Sequence, residues 1–236
     1  MRRLVILNGY AAGWATRVDA AERARREAML TLTEVGWGAD SPAYRQLFTN
    51  IYIPEATPKQ MGWFNEMQRL SASPENAVRL QRVLAAIDVR PLLAKVETPT
   101  LIFHSRDDQA VPFSQGEELA AGISGARFVP LESRNHILIE TEPAWQMFAE
   151  ISRDFLDAEK DQLPDMLAPA QPRAVDEIAE CRAADGTRIA YAVAGEGYPL
   201  VKAPSWMSHL QVDPGSPAPE SGWRSSGQIA DLCNRA

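Results

Sequence analysis

Three short runs of apolar residues constrain the fold of this chain more than any other feature of its sequence. They are Leu4 to Leu7, Thr100 to His104 and Ala126 to Leu131. A run without polar alternation is typical of a strand buried on both faces of a parallel sheet. Helical patterns follow the second and third runs, at residues 113–121 and 142–156. Strands that alternate with helices predict an α/β fold with a mainly parallel sheet.

The stretch between the first two runs, from about residue 19 to 93, is predicted to be mostly helical. Val18 to Leu32 consists largely of Ala, Glu, Arg and Leu, which favour helix, and Gly36-Trp37-Gly38 supplies a stop signal. Ser41-Pro42 and Ser73-Pro74 each resemble an N-cap followed by proline at the first helical position. The sheet is therefore expected to carry a large helical insertion.

The pattern changes after Leu156, which predicts a domain boundary. Residues 1–157 form the first unit, and residues 158–177 are charged and proline-bearing, as linkers are. Residues 178–213 begin with a predicted β-hairpin on the Asp185-Gly186 turn and continue into a strand from Pro199. Residues 214–236 are rich in Pro, Gly and Ser and are expected to be disordered, apart from a helical turn at Gln228 to Cys233.

Charge and composition argue against several classes of function. The formal charge of −7 and the pI near 5.1 are unfavourable for binding nucleic acid, which requires a basic surface. Cys181 and Cys233 lie far apart, and the three histidines are scattered, so neither a disulfide framework nor a metal site is predicted. No cofactor is expected, and the partner is expected to be a small-molecule substrate or ligand.

The amino-terminal residues superficially resemble a secretion signal but do not continue as one. Arg2 and Arg3 precede a short apolar run that is broken at Asn8 and Gly9. Signal cores and membrane spans need longer apolar stretches. The chain is therefore expected to be cytoplasmic and free of membrane contact, with export as the alternative.

Asp108 and His136 are the candidate catalytic residues. Asp108 follows the apolar run that ends at His104, and His136 follows the run that ends at Leu131. Taken alone, Asp108 fits a turn or helix cap, and His136 fits a packed structural histidine. Together, at the ends of two successive parallel strands and in this chain order, they match the acid and the base of a hydrolase triad.

Residues 3–156 resemble the C-terminal two-thirds of an α/β hydrolase, of the subgroup often fused to bacterial transcription-regulator or cyclase domains. The segments that carry the resemblance are Gly36-Trp37-Gly38, Phe64-Asn65-Glu66, Thr98-Pro99-Thr100-Leu101, Asp108-x-x-Val111-Pro112, Gly125-Ala126-Arg127-Phe128 and Asn135-His136. The resemblance implies that Asp108 is the triad acid, His136 the general base and the intervening helices a cap over the pocket. Asp107 fits the motif less well because Asp108 lies at the matching distance from Val111.

The nucleophile of that family lies on a G-x-S-x-G elbow after the fifth strand, upstream of the strand that Leu4 to Leu7 resembles. These 236 residues contain no G-x-S-x-G motif. Ser105, Ser205 and Ser208 are weak substitutes because none of them sits on a strand-to-helix elbow. His104 and His209 are expected to be structural or exposed.

A second resemblance reverses the order of the family. Residues 180–201 resemble the first three strands of the same kind of hydrolase, so the beginning of the fold follows its end. Trp206 and Met207 would then lie in the loop that lends a backbone N–H to the oxyanion hole. The fourth and fifth strands of the family order 1-2-4-3-5-6-7-8 are not recognisable, so the strand order is incomplete or permuted.

This order has two explanations. The chain is either a circular permutant that completes its own sheet or a tandem or truncated product that begins a second hydrolase. The second is favoured because a permutant without strands four and five would pair strands that are not normally neighbours. An unfilled sheet edge beside Leu4 to Leu7 would favour self-association.

Three functional hypotheses follow. The first is an acyl hydrolase of ester or amide type that uses Asp108 and His136 but is inactive alone because the nucleophile is lacking. The second is a non-catalytic module that binds a small molecule. The third is a truncated gene fragment without function.

Overall fold

A three-stranded parallel sheet lies at the centre of residues 2–157. The computed structural model describes residues 2–157, 178–194, 199–202 and 228–234. Strands β1 (Leu4–Leu7), β2 (Thr100–Ser105) and β3 (Arg127–Leu131) pair in the order β1-β2-β3. Leu4 lies opposite Thr100, and Leu101 lies opposite Arg127. The three apolar runs are therefore confirmed as parallel strands.

Helices occupy most of the chain between the strands, as the sequence predicts. Six of them lie between β1 and β2: α1 (Trp14–Arg17), α2 (Ala20–Gly36), α3 (Ala43–Tyr52), α4 (Pro58–Ser71), α5 (Pro74–Ala86) and α6 (Arg90–Leu93). Helix α7 (Phe113–Gly122) follows β2, and α8 (Pro143–Asp157) follows β3. We refer to α2–α5 as the cap.

Side-chain caps set the start of three cap helices. Asp19 accepts from the backbone N–H of Glu22 at 2.8 Å, and Ser73 accepts from Asn76. Thr57, just before Pro58, and Gln60, in the first turn, form a reciprocal capping box. These contacts satisfy backbone donors that a first helical turn leaves free. At Ser41-Pro42 the predicted N-cap is one residue early, because α3 begins at Ala43 and Pro42 takes the cap position.

The parallel sheet is buried on both faces. All six residues of β2 are buried. Alternate side chains of a strand point to opposite faces, and they join different clusters here: Phe103 packs with α8, whereas Ile102 packs with Leu119 of α7. The Phe103 and Phe148 rings meet edge to face at 4.8 Å. Two helical layers therefore enclose the sheet.

The cap has a core of its own. Trp37 is buried, its ring meets Phe48 at 5.7 Å, and its indole N–H donates to the Ala72 carbonyl at 3.1 Å. Phe64 and Met67 belong to the same cluster. The cap is therefore a packed layer and not a loose insertion.

A second sheet contains β4 (Ile178–Arg182), β5 (Arg188–Ala194), β6 (Pro199–Lys202) and β7 (Gln228–Asn234), in the order β4-β5-β7-β6. The predicted hairpin is confirmed, because β4 and β5 pair antiparallel around Gly186, whose φ is +87°. Strand β7 pairs antiparallel with β5 and parallel with β6.

Two expectations about residues 228–234 are wrong, because the segment forms strand β7. A helical turn within a disordered tail was expected at Gln228 to Cys233, but β5 and β6 supply backbone partners on both sides and the segment is extended. The order β4-β5-β7-β6 also matches the 1-2-4-3 order of the hydrolase fold, so a strand stands at the position of the fourth, which the sequence pattern did not reveal. The linker and residues 214–227 lie outside the described residues.

Within the described ranges, no helix is both long and apolar enough to cross a membrane.

Candidate active site

Asp108 and His136 come together at the carboxyl edge of the parallel sheet. Asp108 lies in the loop after β2, and His136 lies in the loop after β3. Because β2 and β3 are parallel neighbours, their following loops meet at one edge. The Asp108 Oδ2 and His136 Nδ1 atoms are 2.7 Å apart. The predicted pair, 28 positions apart in the sequence, is therefore in direct hydrogen-bond contact.

The Asp108 carboxylate is fixed by its own loop. Its Oδ1 atom accepts from the backbone N–H groups of Ala110 at 2.8 Å and Val111 at 3.0 Å. The side chain is completely buried. Asp107, by contrast, is exposed, and its backbone N–H donates to the Ser133 carbonyl. The geometry thus agrees with the preference for Asp108 over Asp107.

His136 is held through both its backbone and its ring. Its N–H donates to the Tyr52 carbonyl at 2.9 Å, and the N–H of Ile137 donates to the same oxygen at 3.1 Å. The Tyr52 and His136 rings meet edge to face at 5.1 Å. With Nδ1 bonded to Asp108, Nε2 forms no hydrogen bond within the described part of the chain. The ring is 21% exposed, so Nε2 is available to a reacting group.

Asn8 connects all three strand ends, a role that the sequence did not reveal. Its Nδ2 donates to the His136 carbonyl at 2.6 Å and to Ser105 Oγ at 3.2 Å, and its Oδ1 accepts from the Ser105 N–H at 2.7 Å. Its φ of +50° lies in the left-handed region, which asparagine tolerates better than most residues. An asparagine that follows an apolar run is the only available signal in the sequence.

Glu142 anchors the histidine loop from the other side. Its carboxylate accepts from Ser133 Oγ at 2.7 Å, from Asn135 Nδ2 at 3.3 Å and from the Ile139 N–H. The sequence pattern placed Glu142 inside the last helix, but the helix begins at Pro143, and Glu142 turns back onto the loop. Both sides of His136 are therefore tied to the sheet edge.

His104 is a second histidine near Asp108, and it is structural, as expected. It is fully buried, its Nε2 lies 3.1 Å from the Val111 carbonyl, and the same atom is 3.8 Å from Asp108 Oδ2. Burial lowers the pKa of His104, partly offset by the bond to Val111 and the charge of Asp108. A neutral imidazole that donates from Nε2 to Val111 fits this environment.

Of the candidate serines, Ser105 lies within the described residues, and it is not placed to serve as nucleophile. Ser105 is fully buried, and its hydroxyl donates to the Asn135 carbonyl at 2.8 Å while accepting from Asn8. The remaining candidates fall outside the described residues: Ser205, Trp206, Met207, Ser208 and His209. The described residues also include no group of three or more His, Cys, Asp or Glu side chains that could hold a metal ion.

A cavity of about 150 Å³ opens beside His136. Its walls come from the segment after β1, from the cap and from the Asp108 loop, and most are apolar, as at Leu30, Phe48 and Val111. Tyr10 and Arg17 contribute polar groups. Burial raises the pKa of Tyr10, and the charge of Arg17 partly opposes this rise. His136 thus borders a space suited to a small organic molecule.

Parts of this chain are similar in sequence to proteins named as hydrolases. The chain is 38% identical over 85 residues to a protein of Pseudomonas savastanoi pv. phaseolicola named "Putative carbamate hydrolase RutD". The matched segment covers 36% of this chain and 32% of that protein. It is 27% identical over 135 residues to the AB hydrolase superfamily protein YisY of Bacillus subtilis, and this match covers 57% of the chain and 50% of YisY. The chain thus spans about a third to a half of the length of these relatives. No family model matches the sequence.

Among solved structures, a hydrolase of Pseudomonas aeruginosa PA01 superimposes with a TM-score of 0.50 at 24% identity. The match covers 66% of this chain and 55% of that protein, and it concerns the fold alone. Sequence similarity to named hydrolases, a parallel sheet with a helical cap and this likeness of fold all point the same way. These comparisons point to the α/β-hydrolase superfamily.

Proposed function

We propose that this chain supplies the acid and the base of an acyl hydrolase acting on ester- or amide-type bonds, and that it is inactive alone. The nucleophile comes from a G-x-S-x-G segment that these 236 residues lack. The names of the relatives, a hydrolase superfamily protein and a carbamate hydrolase, support a hydrolytic reaction. The substrate is a small molecule that fits the cavity beside His136.

The observation that carries the proposal is the contact between Asp108 and His136. A 2.7 Å bond from Nδ1–H to a buried carboxylate fixes the tautomer in which Nε2 carries a lone pair. Two backbone N–H groups hold the carboxylate, and Nε2 has no partner within the described residues.

The chemical steps follow from this arrangement. Nε2 of His136 takes the proton from a serine hydroxyl as its oxygen bonds to the carbonyl carbon of the substrate. The protonated ring, stabilised by Asp108, gives that proton to the leaving alcohol or amine as the scissile bond breaks. Water then attacks the acyl-serine in the same way, releasing the acid and restoring the serine. Trp206 and Met207 remain the proposed contributors to the oxyanion hole.

The open edge of β1 is the proposed attachment point for the missing strand. In the described sheet, β1 pairs on one side only, with β2. In the family order, the fifth strand neighbours the sixth, to which β1 corresponds. A strand paired there in parallel would end beside Asn8, at the same sheet edge as His136. Self-association through this edge is the alternative use of the same backbone groups.

The test restores the missing segment. A strand, G-x-S-x-G turn and following helix from a superfamily member are fused ahead of Met1 through a Gly/Ser linker, and hydrolysis of p-nitrophenyl acetate is measured. We expect the fusion to be at least ~100-fold faster than the same fusion with its serine changed to alanine. His136→Ala and Asp108→Asn should each reduce kcat by about 10³-fold or more.

The matched control is Glu132→Gln, four residues before His136. The Glu132 side chain is 81% exposed, and its one ion pair with a described residue is to Arg106, so its loss should leave the rate unchanged. A serine-dependent rate that does not respond to His136→Ala would contradict the proposed role of the base.

A non-catalytic binding module is the second candidate, and the mostly apolar cavity favours it. A ligand that binds only the folded protein raises its melting temperature. Such a rise, together with no His136-dependent hydrolysis in the fusion, would select this candidate over the hydrolase.

A further inference from the structure

The cavity beside His136 contains one cation without a matching anion. Arg17, the last residue of α1, lines the cavity and is partly buried. Its Nε donates to the Ala12 carbonyl at 3.0 Å, which fixes the direction of the side chain. Within the described residues, no carboxylate lies within salt-bridge distance of Arg17.

Burial makes this charge costly. The pKa of Arg17 is lowered, chiefly by desolvation and next by the nearby charge of Arg26. Glu22 and Glu118 oppose the shift from longer range. Both carboxylates have partners of their own, because Glu22 binds Arg25 and Arg26, and Glu118 accepts from Gln115 at 2.8 Å. The two terminal nitrogens of Arg17 therefore remain open to a ligand.

The second arginine in the same cavity provides the contrast. Arg26 donates from Nε to Glu22 Oε1 at 2.7 Å, so its charge is neutralised within helix α2. Two other polar groups of the cavity are also engaged: the Tyr10 hydroxyl donates to the Leu84 carbonyl, and Gln81 donates to Thr33 Oγ1. Arg17 is thus the polar group best placed to select a ligand.

We propose that the cavity binds an organic carboxylate whose anionic group pairs with Arg17 while its apolar part lies against the cap. A planar guanidinium with free nitrogens matches a carboxylate in a two-point contact. The volume of about 150 Å³ limits the ligand to a small acid, and apolar walls such as Phe48 and Leu84 suit an aliphatic or aromatic chain.

This inference rests on the proposed function in one respect: it takes the cavity as the acyl site, so the substrate would carry a carboxylate in addition to its scissile bond. The reacting bond would lie toward His136, and the free carboxylate would lie toward Arg17. Since both residues border one cavity, a single small molecule can contact both.

Binding to the full chain tests the inference without requiring hydrolysis. Dissociation constants are measured by calorimetry for phenylacetate and for phenylacetamide, its neutral counterpart of nearly the same shape. We expect phenylacetate to bind about tenfold more tightly, because a charge-assisted pair replaces a neutral contact. The preference should weaken as salt concentration rises.

Variants assign the preference to one residue. Arg17→Gln should abolish it, Arg17→Lys should retain part of it because the charge remains, and Arg26→Gln should leave it intact. A melting curve for each variant shows whether it is folded. If Arg17→Gln does not fold, Arg17→Lys is the test, and its preference for phenylacetate should be smaller than that of the unchanged chain.

Three outcomes would overturn the inference: equal affinity for the two probes, no binding of either probe, or a preference for phenylacetate that is undiminished in both Arg17 variants. Failure of the hydrolase proposal looks different, because the carboxylate preference would then persist while the serine-bearing fusion showed no His136-dependent rate.

Discussion

The two sheets of this protein differ in what covers them. In the parallel sheet, all six residues of β2 are buried, and helices pack on both faces. In the second sheet, the buried apolar cluster consists of Ala190 and Ala192 with Ile178 beside it, and Val201 is 62% exposed. These statements concern the described residues of each sheet.

The difference shows where folding free energy is concentrated. Buried apolar area contributes roughly 25 cal/mol per Å², so large enclosed side chains such as Phe103 stabilise far more than two alanines. A sheet with few enclosed side chains depends on backbone pairing, which is marginal by itself in water. The proposed catalytic pair lies on the sheet that has its own core.

The largest expected effect tests this contrast directly. Phe103→Ala should lower the free energy of unfolding by about 3–5 kcal/mol, because it leaves a cavity against Phe148. Tyr191→Ala, in the middle of the second sheet, should lower it by less than about 1 kcal/mol, since Tyr191 is only half-buried. Denaturant unfolding followed by tryptophan fluorescence measures both. Equal losses would show that the two sheets share one core.

The next effect concerns the junction between the core and the site. Asn8→Ala should cost about 2–4 kcal/mol, because the Ser105 N–H and the His136 carbonyl lose their partner and alanine is strained at positive φ. Asn8→Gly removes only the strain and should recover about 1 kcal/mol of this loss. An unchanged free energy of unfolding in Asn8→Ala would show that the hydrogen bonds of Asn8 to the strand ends do not stabilise the sheet.

A pH dependence should arise from the first sheet through His104. Since burial lowers the pKa of His104, the unfolded chain binds a proton more readily, and stability falls as pH drops below about 6.5. One such group contributes at most about 1.4 kcal/mol per pH unit. The slope of melting temperature between pH 7 and pH 5 should be shallower in His104→Gln, whose amide can still donate to Val111. An unchanged slope would exclude His104 as the source.

The smallest expected effect concerns two glycines with positive φ, one in each unit of the chain. Gly125 and Gly186 have φ of +71° and +87°, and a Cβ at either position would meet nothing within 4 Å. Alanine therefore adds only backbone strain, about 1–2 kcal/mol at each. Gly125→Ala should shift the main unfolding midpoint, whereas Gly186→Ala should speed hydrogen exchange at the backbone amide of residue 186 without moving that midpoint. A midpoint shift of equal size would tie the hairpin to the main core.

Sequence patterns predicted what depends on neighbours along the chain. The three apolar runs became the parallel sheet because a strand buried on both faces needs no polar alternation. Asp108 and His136 were found because each follows a strand and parallel strands end at one edge. The start of α5 at Pro74 carries the predicted Ser73 cap, which is a local signal.

Features that depend on distant contacts were not predicted. Asn8 acts through partners 97 and 128 positions away, and a polar residue after a strand signals only that the strand ends. Glu142 lies at a helix start, where an acidic residue has an ordinary local explanation. Strand β7 takes its conformation from β5 and β6, and its short mixed sequence does not distinguish a helical turn from a strand.

The hydrogen bonds between the histidine loop and Tyr52 link the motion of the cap to the position of His136. Tyr52 ends α3, and its carbonyl accepts from two consecutive N–H groups of that loop, at His136 and Ile137. A fluctuation that lifts α3 must break both bonds or carry His136 with it. Ligand exchange that proceeds by such an opening would interrupt proton transfer, whereas exchange past α2 and α5 would not. If His136 acts as the proposed base, the route by which a molecule enters this cavity would determine whether ligand exchange and proton transfer can occur at the same time.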